Sequence, residues 1–242
     1  MKKILLGFII ILTLVSLWSC KNIENKNKGI DSLTFSFLPF DTINIYDVFN
    51  VYIKQDSVYS VKVVSSSDLL ENVELIQKEN ILDIRDMNSF YFLKSYDLHI
   101  DLYISAPDLQ TVNLFSASTV YSIDTLEYKR FMLRFYGYSG FSNVTVNCED
   151  HFFLSLWNVT GDYTVSGKCT YFQVLNHGTS YIHAYNLLSQ YCSIDQNSTG
   201  NIELTSIKTL NVIIRDIGNV YYKGDPVVDL DKLGSGTLYK IQ

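Results

Sequence analysis

Between Leu109 and Tyr222 the chain alternates apolar and polar side chains in short runs, and the runs recur. Each unit is a short alternating stretch, a turn of small or polar residues, and a second short stretch. The turn pairs Ala117-Ser118, Ser139-Gly140, Thr160-Gly161, Thr179-Ser180, Thr199-Gly200 and Ile217-Gly218 follow one another at a nearly constant interval. Alternation with a period of two predicts half-buried strands. A β-rich repeat of about 20 residues predicts a solenoid whose rungs stack into one continuous core. Leu210, Val212 and Ile214 mark the inward phase most clearly, with Leu133 and Phe135, and Phe172 and Val174, in other rungs. In residues 152–158 two phases are open: Phe152, Leu154 and Leu156 inward, or Phe153 and Trp157 inward. A one-residue slip exchanges the two faces.

The same texture begins before the repeat, at Phe35. Ile43 and Ile45, Val51 and Ile53, and Val61 and Val63 predict strands; Asp68 to Asn72 predicts one helical turn capped by Asp68; Val73–Gln77 and Ile81–Arg85 predict a hairpin around Lys78-Glu79-Asn80. Leu98, Ile100, Leu102 and Ile104 alternate with His99, Asp101 and Tyr103, and Pro107 closes that strand because it has no N–H for a ladder. His99 falls on the polar, solvated side. Past Cys20 no stretch sustains a helical period, and Val, Ile, Tyr, Phe and Thr dominate. The expected class is all-β.

The start of the chain is set apart by composition. Lys2 and Lys3 precede an apolar run from Ile4 to Leu17, and Ser19 is the small residue before Cys20. This reads as a secretory signal peptide, too short for a convincing membrane span. Leu17-Trp18-Ser19-Cys20 resembles a bacterial lipobox, which makes Cys20 an acylated N-terminus holding the protein to a membrane. The expected organisation is a signal peptide at 1–19, a lipidated cysteine and flexible tether at 20–34, and one β domain at 35–242. Without the signal peptide 17 basic side chains face 25 acidic ones, a charge of −8. That balance argues against nucleic acid and against polybasic attraction to an anionic membrane. Cys148, Cys169 and Cys192 follow one another at close to the repeat interval, so neighbouring rungs bring them within reach of a disulfide; the alternative is three small buried hydrophobes.

The end of the chain carries a family signal. Leu210-Asn211-Val212-Ile213-Ile214 leads through Ile217-Gly218-Asn219-Val220-Tyr221-Tyr222 to Lys223-Gly224-Asp225-Pro226, and Gly234-Ser235-Gly236 precedes a last short strand. Phe40-Asp41-Thr42-Ile43 with Asp47-Val48-Phe49-Asn50-Val51, and Ala106-Pro107-Asp108-Leu109, agree with it upstream. In this order the motifs resemble the auto-transporter adhesin head GIN domain family, over about residues 35–242. The sequence departs from the family in keeping only one Gly-Ser-Gly turn, at 234–236. The resemblance implies a right-handed parallel β-helix-like solenoid, here with rungs of about 20 residues, and no established chemistry.

A parallel β-helix can also carry a polysaccharide lyase or hydrolase, and a glycosidase needs two carboxylates roughly 5–10 Å apart. Asp195 and Asp216, about one repeat apart, are the best pair, yet each lies near a turn where Asp serves the backbone. His177 and His183 flank the Gly178-Thr179-Ser180 turn, with His151 nearby, but nothing at ligand spacing completes a metal site. The expectation is therefore no catalytic residues, no metal and no cofactor. The abundant side chain is aromatic: 18 Tyr, 14 Phe and 2 Trp. Tyr136, Tyr138, Trp157, Tyr163, Tyr171, Tyr181, Tyr185 and Tyr191 fall in consecutive rungs and form the candidate binding face, offering flat apolar rings to a glycan or an envelope protein. The alternative is an ordinary ladder of β-surface aromatics. The leading reading is a lipid-anchored, non-catalytic envelope protein, at the outer membrane, with a binding, adhesion or scaffolding role. A carbohydrate-active enzyme is the runner-up, and self-association through open solenoid ends is a third reading.

Overall fold

A computed structural model describes residues 29–88 and 99–242. The expected signal peptide, Cys20 and most of the tether lie outside the described residues, as does Leu98. Strand takes 71% of the described residues and helix 2%, so the class is all-β. The strands are β1 (Ile30–Ser36), β2 (Thr42–Ile45), β3 (Asn50–Gln55), β4 (Ser60–Ser66), β5 (Val73–Lys78), β6 (Ile81–Asp86), β7 (Asp101–Ala106), β8 (Thr111–Leu114), β9 (Ser118–Ser122), β10 (Arg130–Tyr136), β11 (Ser139–Ser198), β12 (Ile202–Ile214), β13 (Val220–Lys223), β14 (Val227–Lys232) and β15 (Leu238–Lys240). β1 starts at Ile30, inside the stretch read as tether. The single turn of helix, α1 (Ser67–Leu70), has Ser66 rather than Asp68 at its N-cap position, without a side-chain cap hydrogen bond, and it buries Leu69 and Leu70.

All fifteen strands join one curled sheet with two faces. Face one runs β5, β6, β2, β8, β10, then successive passes of β11, the second half of β12, and β14; face two runs β1, β4, β7, β3, β9, further passes of β11, the first half of β12, β13 and β15. From β8 onward the chain crosses face one, turns, crosses face two and returns one tier along. Met132 pairs in parallel with Thr111, Arg130 with His151, Tyr191 with Thr209, and Thr209 with Val227, each pair one repeat apart along the chain.

A uniformly parallel solenoid does not describe the sheet, which is mixed. β1, β4 and β7 pair antiparallel, as do β5 and β6, the predicted hairpin. The first tier in sequence is not the first in space, because β2 sits between β6 and β8 and β3 between β7 and β9. The antiparallel strands and α1 cover one end of the stack. At the other, β14 and β15 each pair on one side only among the described residues.

Alternation decides what each strand buries. Ile43, Ile45, Val51, Ile53, Leu82, Ile84, Leu102, Ile104, Leu210, Val212 and Ile214 all point into the space between the faces and are at most 2% exposed. The open register at 152–158 resolves toward Phe152, Leu154 and Leu156, each fully buried. Phe131, Phe152 and Phe172 form a stack through the core, with centroids 6.0 and 5.7 Å apart. Each buried ring contributes on the order of 2–3 kcal/mol. The turns stack as tightly as the strands. Gly161 adopts φ 129°, and a Cβ there would lie 1.8 Å from the Gly140 carbonyl oxygen one tier away, so no other residue fits.

Candidate binding surface

Outward positions repeat once per tier, so equivalent side chains stack into columns along the sheet. On face one a column starts with Arg85, whose guanidinium sits 4.2 Å from the Tyr46 ring centre. Tyr46 stacks on Phe115 at 5.0 Å, and Phe115 on Tyr136 at 5.1 Å. Tyr136 lies opposite Trp157, and Trp157 packs on His177 at 4.3 Å. At the far end Asp195 accepts a 2.8 Å hydrogen bond from Arg215 Nε. The His177 Nε2 is 3.8 Å from the same carboxylate, too far for a hydrogen bond.

A second column on face one holds His151, Tyr171 and Tyr191; the two tyrosine rings stack at 4.8 Å with planes 19° apart, and the Lys208 ammonium lies 5.6 Å from the Tyr191 centre. On face two Tyr103, Tyr52 and Tyr121 stack at 4.7 and 5.3 Å, and Tyr121 reaches Phe141 at 5.7 Å. Further along, Tyr185 lies under the Lys223 ammonium, and Tyr221 stacks on Tyr239.

The eight aromatics expected to form one binding face are therefore divided. Tyr136, Trp157, Tyr171 and Tyr191 share face one, in two columns. Tyr185 belongs to face two. Tyr138, 63% exposed, lines a shallow corner with Asn158, Thr160 and Thr179, and Tyr181 is exposed beside Ile182. Tyr163 is not on the surface at all. It is fully buried against Phe135, its hydroxyl donates to the Thr160 carbonyl, and burial pushes its phenol well above the ordinary range. Tyr46, Phe115 and the Tyr52–Tyr103–Tyr121 column were missed by the repeat. Their signal was a shared interval: Tyr52 follows Tyr46 as Tyr121 follows Phe115, but the two pairs lie several repeats apart instead of one.

Stacking changes what these rings offer. A ring sandwiched between neighbours spends both faces on them and presents only its edge and any hydroxyl to solvent. The flat apolar platform expected from the sequence is thus mostly consumed inside the columns.

Two clefts flank the Tyr171–Tyr191 pair. One, of about 640 Å³, follows the corner before it, with Cys148, Cys169 and Tyr128 in its floor and Glu127, Lys129, Glu149 and Lys168 around it; Leu188 and Ile207 form an exposed apolar rim. Here the backbone register shifts between Ala184 and Leu188 and again between Ser189 and Tyr191. The other, of about 310 Å³, lies on face one among His151, Tyr171, Gln173, Tyr191, Ser193, Thr209 and Asn211. Burial depresses the His151 pKa, against the pull of Asp150 and of a hydrogen bond with the Gln173 side chain.

Among the described residues no three His, Cys, Asp or Glu side chains group as a metal site would require, although His177 lies near Asp195. Asp195 is held by Arg215, while Asp216 accepts from the Ile217 N–H within its own turn. His177 belongs to face one, whereas His183 stands on face two between Glu203, at 3.1 Å, and Asp162, at 3.4 Å. Cys148, Cys169 and Cys192 are free and buried, which favours the small-hydrophobe reading over a disulfide.

These features define an all-β protein of stacked tiers with aromatic ladders along its outer faces. The chain belongs to the family described as "Putative auto-transporter adhesin, head GIN domain", which matches residues 39–226. Three crystal structures share the fold. A "putative adhesin" from Bacteroides fragilis is 19% identical, with 88% of this chain and 98% of that chain covered and a TM-score of 0.80. A "putative adhesin" from Parabacteroides merdae is 14% identical, with coverage of 89% and 98% and a TM-score of 0.61. A "Putative lipid binding protein" from Parabacteroides distasonis is 16% identical, with the same coverage and a TM-score of 0.61. The chain matches no curated protein.

Proposed function

We propose that this chain is a lipid-anchored, non-catalytic protein of the bacterial cell envelope that binds or adheres through its outer faces. The anchor is Cys20, exposed by removal of residues 1–19. The parallel tiers from β8 to β15 act as a short β-solenoid, rigid because each tier hydrogen-bonds to the next. The observation that carries the binding role is the array of outward aromatic columns crossing tier after tier, on a fold whose solved neighbours are described as adhesins. The separation of Asp195 and Asp216 into an ion pair and a turn speaks against the hydrolase reading.

Two measurements test this. Cys20→Ser should move the protein from the membrane fraction to the soluble one; retention of the variant in membranes would refute the anchor. A polysaccharide depolymerisation assay should show no turnover. Activity that disappears in Asp195→Asn would replace the binding role with an enzymatic one.

A further inference from the structure

We propose that the small cleft on face one binds a neutral polysaccharide chain laid along the stacking axis, gripped by phenol hydroxyls and amides rather than by ring faces. The proposal rests on the binding role above and names its ligand class. The first observation is charge. The chain carries 25 acidic and 19 basic side chains, yet no Asp, Glu, Lys or Arg lines this cleft. An anionic ligand would meet one ammonium, Lys208 over the Tyr191 ring, and no charge in the lining itself, whereas a hydroxyl-rich neutral one would exchange water for equivalent partners along the whole cleft. The corner cleft, ringed by both signs of charge, makes no such selection.

The second observation is unused hydrogen-bonding capacity. Ser193 lies opposite Asn211 on the neighbouring tier; Gln173, whose side chain is engaged with His151, occupies the equivalent place one repeat before Ser193. The side chains of Ser193 and Asn211 make no hydrogen bond to other described residues. A chain running along the axis would meet one such group per tier, at a spacing of about 4.8 Å.

The third observation fixes how the tyrosines take part. Tyr171 and Tyr191 face each other at 4.8 Å, Lys208 stands over Tyr191, and His151 meets Tyr171 edge-on at 71°. Neighbours on either side restrict access to the ring faces, which disfavours stacking of a sugar on them. What remains for a ligand is the ring edge and the hydroxyl.

The test is gel retardation of the purified full chain by soluble mannan, β-glucan and galactan, with polygalacturonate as the acidic counterpart. At least one neutral polymer should retard the protein and polygalacturonate should not. Tyr171→Phe and Tyr191→Phe keep the ring stack and remove only the hydroxyl; each should weaken binding roughly three- to tenfold at unchanged melting temperature. Asn211→Ala should do the same, and Tyr221→Phe, on face two, should have no effect. Full retardation of the two Phe variants, or preference for polygalacturonate, would overturn the proposal. If no glycan binds but a defined envelope protein does, the glycan site falls and the binding role stands. If nothing binds, both fall.

Discussion

Asn176 Nδ2 donates a 2.9 Å hydrogen bond to Gln196 Oε1 across two neighbouring tiers, with both side chains fully buried. Asn176 also donates to the Ser180 carbonyl, and Gln196 Nε2 to the Gly200 carbonyl, so each amide closes the turn of its own tier. Strands that turn this sharply leave carbonyls without ladder partners, and buried amides supply them. Gln196→Ala should therefore cost about 3 kcal/mol, from stranded polar groups together with a small cavity. Asn197→Ala, one position on and outward, should stay within about 0.5 kcal/mol. Urea unfolding of the two variants checks the contrast.

The register of the 151–157 pass gives a second test. Phe152 is fully buried and stacked in the core, while Phe153 points outward beneath the Arg134 guanidinium, 5.6 Å from its ring centre. Phe152→Ala should destabilise by about 3–5 kcal/mol. Phe153→Ala should cost about 1 kcal/mol or less. Equal losses in thermal or urea unfolding would contradict this register.

The three buried thiols should be silent toward Ellman's reagent in the folded protein and react on unfolding. Burial pushes the Cys148 thiol up to about 12 and raises those of Cys169 and Cys192 as well. A thiol raised on folding stabilises the protein fully below its unfolded value of about 8.5, and that contribution is lost as pH climbs toward the folded value. Stability should decline from about pH 8.5 upward, and Cys148→Ala should make the decline shallower. A stability curve flat to pH 11 would refute it.

His183 should behave in the opposite part of the pH range. Partial burial pulls its pKa down, but the hydrogen bonds and charges of Glu203 and Asp162 outweigh that and raise it. The stabilisation is present below the ordinary value of about 6.5 and fades as pH rises through the folded value. Melting should be higher at pH 6 than at pH 8, with the difference reduced in His183→Gln. An NMR titration placing His183 below 6.5 would refute the ladder.

The strand content, the period and most of the core were written locally in the sequence. Alternation at Leu210, Val212 and Ile214 has one physical reading, because successive side chains of a strand must point to opposite sides. The family followed from ordered short motifs that survive low overall identity. At Phe152 and Phe153 the sequence alone offered two apolar phases, and only the neighbouring Phe131 and Phe172 select between them. The binding face was the least legible part. Tyr163 and Tyr171 look alike along the chain, but one turns into the core at a corner and the other outward on face one.

Whether a ring has a free face depends on what stands one tier above and below it. For Tyr46 that neighbour is Phe115, several repeats further along the chain, because the chain lays its first tier down between two later ones. The sequence by itself determined the class, the repeat and the family, since these rest on periodicities within a few residues. The tertiary structure decided the tier order, the mixed ends of the sheet and the grouping of aromatic side chains, since these depend on pairings between distant segments that no local pattern encodes.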